Sequence, residues 1–288
     1  MSSDPPPASS TRASQGEEPG GDVVCKAQPW DASLASRSPL FWPIAGALGL
    51  LLEAMVRGEG EGEVPDAREG EVPRFPPPEI IDAALGRRAG IKFERQRPVS
   101  RRRRKPRDPA SMYDARIARE GCVPTRPGSW HDLMNALVWA TFPLAKRALH
   151  ERQHGLVVPA APGESARRPR ELDALALLDE GGLLVMAEGS LTLEGADIAS
   201  RERALEEAIA ASQATAFVFG HAIYEGLVLG RPAPLASVVC VAAAADARTV
   251  DHADRALAAV IADRGRIVDP TAMLRLRADA RLMPAAAV

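Results

Sequence analysis

Three short blocks, far apart in the chain, carry side chains able to hold a metal or move a proton. They are His131, Asp132 and Asn135; Asp179 and Glu180, with Asp173 before them; and His221 with Glu225. Imidazole and carboxylate together suit zinc, manganese or iron, and carboxylates alone suit magnesium. A divalent metal held this way polarises a phosphoryl or carbonyl oxygen and acidifies its bound water, with a spare carboxylate as base. The expected ligands are His131, His221 and Glu225. Asp132 and Glu180 are the catalytic candidates, as ligand or base, and Arg126, Asn135 and Asp179 the binding candidates. None of these spacings is a recognised metal motif. Each block also reads as plain structure: a helix cap, an acidic turn, or an imidazole bonded to a backbone carbonyl.

The elements that must position these groups follow from local pattern. Ser129 is placed to cap a helix, and Asp132, three residues on, sits where a capping-box acid sits. At about 100° per residue, His131, Asn135, Val138 and Phe142 fall on one stripe of that helix, with Leu133, Leu137, Ala140 and Leu144 on the far side. A helix apolar nearly all round is buried, so its His and Asn need polar partners opposite them. Pro143 kinks or ends it, and a second helix runs to about Gln153, with His150 and His154 on a solvated face. A helix beginning at Gly220 puts His221 and Glu225, four apart, on one face. Asp179-Glu180-Gly181-Gly182 reads as the tight link of a hairpin between the runs Leu172–Leu178 and Leu183–Ala187. Leu and Ala dominate those runs, so a helix as far as Leu178 is the alternative.

The rest of the chain predicts an α+β fold, mostly helical, with a small antiparallel or mixed sheet. Helices are expected near 43–56, 79–89, 112–120, 201–211 and 251–262. Strands are expected at 90–93, 215–219 and 237–242, the last two joining the hairpin in the sheet. Residues 1–28, rich in Ser, Pro, Gly and Glu, read as a disordered tail, and 30–288 as one domain. That domain carries an acidic loop at 58–78 and a basic loop at 98–109. The net charge of −2 excludes a global pull toward nucleic acid or membrane. Only Lys26, Lys92, Lys105 and Lys146 among the 36 basic residues are Lys, so arginine abundance follows coding bias. Cys25, Cys122 and Cys240 have no paired spacing, which implies a reducing, cytoplasmic compartment. A Cys-His-Asn nucleophile of Cys122, His131 and Asn135 is the weaker chemistry, because one helix cannot readily orient both partners. Leu40–Leu52 is interrupted by Pro43 and closed by Glu53, too short to span a bilayer, so a core helix and no membrane are expected.

Several of these stretches resemble a bacterial family catalogued as domain of unknown function 3025. They are Val123-Pro124-Thr125-Arg126, Trp130-His131-Asp132, Asn135-Ala136-Leu137-Val138-Trp139, Phe142-Pro143 and Lys146. Tyr113 with Arg116-Ile117, Leu177-Leu178-Asp179-Glu180 with Gly182, and Phe219-Gly220-His221-Ala222 with Glu225 belong to the same match. The resemblance implies a bacterial cytoplasmic protein and nothing about activity.

Two functions remain in view. The first is a metal-dependent hydrolase acting on a phosphoester or similar polar bond, with a divalent metal as cofactor. The second is a non-catalytic binding protein meeting an acidic partner or nucleic acid through Arg101, Arg102, Arg103 and Arg104.

Overall fold

The computed structural model describes residues 30–58, 75–96, 113–156, 169–189 and 197–283. The expected tail at 1–28, most of the acidic loop and the basic loop with Arg101–Arg104 lie outside the described residues. Cys25 does too.

Helix α1 (Ala45–Arg57) follows a 3₁₀ turn, Pro39–Ile44, and is closed by Gly58 in the left-handed conformation. Together they form one apolar run of 19 residues, long enough to cross a membrane by length and composition. Its Leu40, Phe41, Ile44, Leu48 and Leu51 are instead buried in the protein. Next, α2 (Pro78–Ile81) passes through a π turn, Asp82–Gly86, into α3 (Arg87–Ala89). Strand β1 (Lys92–Arg95) pairs in parallel with β2 (Cys122–Thr125), and α4 (Tyr113–Glu120) lies between them in sequence. Strand β2 is not anticipated by pattern, because Pro124 removes a ladder donor and marks an edge.

The centre of the fold is α5 (Trp130–Thr141), which packs against α1, α3, α6 (Pro143–Leu156) and α9 (His221–Val228). Every residue from Asp132 to Phe142 is buried. Pro143 does end α5, and Asp254 caps the restart, accepting from the backbone N–H groups of Leu144 (3.1 Å) and Ala145 (2.8 Å). Asp254 comes from α10 (Val250–Ala262), which packs along α6.

The larger sheet is mixed, in the order β4-β3-β5-β6. Strand β3 (Gly182–Ala187) runs antiparallel to β4 (Ala214–Val218) and parallel to β5 (Leu235–Ala242), and β6 (Leu274–Arg277) is antiparallel to β5. Helix α8 (Ile198–Ala210) lies on β4 and β6, and α7 (Arg170–Gly181) on β3 and β5. The expected hairpin is therefore wrong: residues 170–181 are a helix that turns directly into β3. The Leu- and Ala-rich run favours helix over strand, and β3 finds its partners far along the chain. The mostly helical α+β architecture is as the sequence predicts.

Candidate metal centre

Helix α5 delivers His131 through its first turn. Ser129 caps it as expected, its Oγ accepting from the N–H of Asp132 at 3.2 Å. The Asp132 carboxylate then turns back toward the loop. It accepts from the Arg126 backbone N–H (2.6 Å), Nε (3.0 Å) and Nη2 (2.7 Å). These two predicted site residues thus lock the β2–α5 connection. Adjacent helical residues point about 100° apart, so Asp132 does not join its neighbour His131 at the centre.

Helix α9 presents His221 and Glu225 on one face, and that face grips the His131 ring at both nitrogens. Glu225 Oε2 lies 3.3 Å from Nδ1 of His131, and Nε2 of His221 lies 3.1 Å from Nε2 of His131. The predicted ligand Glu225 is therefore behind the ring, where a carboxylate orients an imidazole.

The third block arrives at the end of α7. The carbonyl of Asp179 accepts from Nδ1 of His221 at 2.9 Å, and Glu180 Oε2 lies 3.5 Å from Nε2 of that histidine. Among the described residues, His131, Glu180 and His221 form the group of side chains able to hold a metal ion, with ligand atoms all within 4.8 Å of one another. His221 is buried, whereas the side chains of His131 and Glu180 are 32% and 51% exposed. The centre therefore has a sealed floor and an open rim.

Two glycines allow this convergence. A Cβ on Gly220 would fall 2.4 Å from the Gly182 nitrogen and 2.6 Å from the Glu180 carbonyl oxygen. One on Gly182 would fall 2.2 Å from the carbonyl oxygen of Leu178. The backbone approach is closed further by the carbonyl of Gly182, which accepts from Phe219 (3.0 Å) and Gly220 (2.9 Å). No side chain fits where the start of α9 crosses the end of α7.

Electrostatics fix the protonation of the floor. A carbonyl on Nδ1 of His221 requires a proton there, leaving Nε2 as a lone pair. Burial, reinforced by the Lys146 charge and opposed by that of Asp179, holds His221 neutral, its pKa lowered to about 3. Burial opposes ionisation of Asp179, but the ammonium of Lys146 beside it holds its carboxyl well below the usual range. Burial and the charge of Asp179 push Glu180 upward.

Lys146 is a residue whose role the spacing argument missed. It is fully buried on α6, bonded to the Asp179 carboxylate and 5.6 Å from the Trp139 ring centroid. A signal was available: in a chain that uses arginine almost everywhere, a lysine amid apolar residues marks a compact, strongly hydrated charge chosen for a purpose.

The remaining predicted residues lie around this centre. Asn135 donates from Nδ2 to the Tyr113 hydroxyl at 2.9 Å, and its Oδ1 is buried without a partner among the described residues. His150, expected on a solvated face, is 1% exposed and meets Asp114 at 2.9 Å. Asp173 lies in the first turn of α7 and is exposed. Cys122 is buried, its Sγ 3.5 Å from the Glu120 carbonyl, and burial pushes its thiol pKa up, which removes the nucleophile alternative.

No curated protein and no solved structure matches the chain. A family profile does, over residues 99–277, more than half of the sequence and the whole of this centre. The chain belongs to the family described as protein of unknown function (DUF3025).

Proposed function

We propose that this chain is a metal-dependent hydrolase acting on a phosphoester or a similar polar bond. The observation that carries the reading is the approach of two imidazole Nε2 atoms to 3.1 Å, each ring having an acceptor at its Nδ1. With both Nδ1 atoms protonated toward those acceptors, two lone pairs face each other and repel. A divalent cation taking both removes the repulsion. A tetrahedral zinc ion with two imidazole ligands sets their nitrogens about 3.3 Å apart, close to the spacing observed.

In this reading His131 and His221 hold the metal, and Glu180 is the third ligand or the adjacent base. Its raised pKa makes its carboxylate a better proton acceptor. Glu225 and the Asp179 carbonyl orient the two rings from behind. The exposed side chains of His131 and Glu180 leave room for water and substrate. A metal held there would supply an acidified water as the nucleophile, and Glu180 would take the proton of that water and return it to the alcohol that leaves as its bond to phosphorus breaks. A reducing cytoplasmic compartment belongs to the same reading, supported by the unpaired Cys122 and Cys240.

Elemental analysis of the purified protein tests it. The expected result is about one zinc or manganese per chain, lost in both His131→Ala and His221→Ala, with metal-dependent cleavage of a chromogenic phosphoester. A protein that neither retains nor takes up a divalent metal overturns the proposal. Iron with oxygen uptake would keep the centre but replace hydrolysis, since two histidines and one carboxylate also suit oxygen chemistry.

A further inference from the structure

A cavity lies away from the metal centre, where the larger sheet frays. Strand β6 pairs with β5 only from Leu235 to Val238. Beyond that point the outer edge of β5 is released, and the chain from Gly265 to Met273 arches across the gap. A cavity of about 420 Å³ opens there, within the range of small-molecule sites. Val239, Val241, Val260, Ile267 and Met273 supply apolar walls.

Four charged residues line the cavity: Arg201, Arg266, Glu188 and Asp269. Three of them have partners. Glu188 meets Arg248 at 3.0 Å, Asp269 meets Arg170 at 2.7 Å, and Arg266 donates to the Cys240 carbonyl at 3.2 Å. That last bond satisfies an acceptor exposed by the loss of β6. Arg201 is different. Its Nε is buried without a hydrogen-bond partner, and its guanidinium makes no ion pair among the described residues. A buried donor on a permanent cation is costly unless an acceptor reaches it, so an anionic group entering the cavity would satisfy the Nε of Arg201.

The rest of the lining narrows the ligand. Two carboxylates at the same cavity oppose a multiply charged anion such as a phosphate dianion or a nucleotide. The aliphatic walls favour an aliphatic body over a bare ion. Ile267 is held at φ 54°, a left-handed conformation that a β-branched residue rarely takes and that strains the backbone where it faces the cavity.

We infer that this cavity is a binding site for a singly charged aliphatic carboxylate, with Arg201 receiving its head group and the valine-rich walls its chain. The test is calorimetric titration of the full chain with octanoate, with octanol and inorganic phosphate as separate probes. Octanoate is expected to bind once per chain. Binding should weaken at least about tenfold in Arg201→Gln and for octanol, and stay unchanged in Arg87→Gln, an exposed control. Cys240 lines the cavity and serves to locate the ligand: octanoate should slow alkylation of its thiol and leave that of Cys122 unaltered. Failure of octanoate to bind, equal binding by Arg201→Gln, or no protection of Cys240 would each overturn the inference. Phosphate competing as well as octanoate would overturn the aliphatic part of it.

Discussion

His131 and His150 begin alike. Each sets Nδ1 against a carboxylate, Glu225 for one and Asp114 for the other. They end differently. The ring of His150 is stacked on Trp139 at 5.4 Å, edged by Tyr113, and its Nε2 is buried with no partner among the described residues. The ring of His131 is half-open, and its Nε2 meets a second imidazole with Glu180 nearby. A carboxylate behind an imidazole is thus an orienting device that serves both a sealed core and an open centre. What distinguishes the centre is a second donor converging on the free nitrogen and a path to solvent.

Lys146 joins the two regions, and its removal should break both. It lies over Trp139, which packs on His150, and it neutralises Asp179, whose carbonyl anchors His221. Lys146→Met leaves a buried carboxylate unpaired and is expected to cost about 3–5 kcal/mol in denaturant unfolding. The sign of its pH dependence follows from Asp179. A carboxyl held below its unfolded value stabilises above about pH 4, and that share is lost as pH falls through the folded value. The gap between Lys146→Met and the parent should therefore narrow in acid.

Gly220→Ala attacks only the open centre. Its methyl group would meet backbone at 2.4–2.6 Å, and backbone cannot step aside as a side-chain tip can. We expect a loss of about 3 kcal/mol or more in stability together with loss of bound metal. Retained metal in a stable Gly220→Ala protein would show that the close crossing does not build the site.

Smaller changes separate orientation from ligation. Glu225→Gln keeps the volume but removes the charge behind His131, and metal affinity should fall roughly 10–100-fold with little change in melting temperature. A complete loss of metal would make Glu225 a ligand after all. Asp114→Ala, the matching change at His150, should cost about 1–3 kcal/mol and leave metal affinity where it was. Equal effects of these two variants on metal would erase the distinction between the regions.

Much of the fold was legible because it rests on local rules. The Ser129 cap, the buried α5, the break at Pro143 and the shared face of His221 and Glu225 all follow from spacing and capping chemistry. The hairpin failed for an equally physical reason. Short Leu- and Ala-rich runs satisfy a helix or a buried strand, and only long-range pairing chooses between them. Strand β6, alternating Leu and Arg over four residues, is too short to stand out before β5 is seen beside it. His150 was assigned to solvent because its partners, Asp114 and Trp139, lie outside its own turn of helix.

Residue chemistry and local periodicity, both written in the sequence, named the imidazoles and carboxylates and the helices that carry them. Folding in three dimensions decided which nitrogen each partner occupies. It set Glu225 against the Nδ1 of His131, gave Asp132 to Arg126, and brought Glu180 to the rim. The physical reason is that a helix fixes the direction of a side chain only relative to its own axis. What that side chain meets depends on how two backbones cross, and here Gly220, without a side chain, sets that distance.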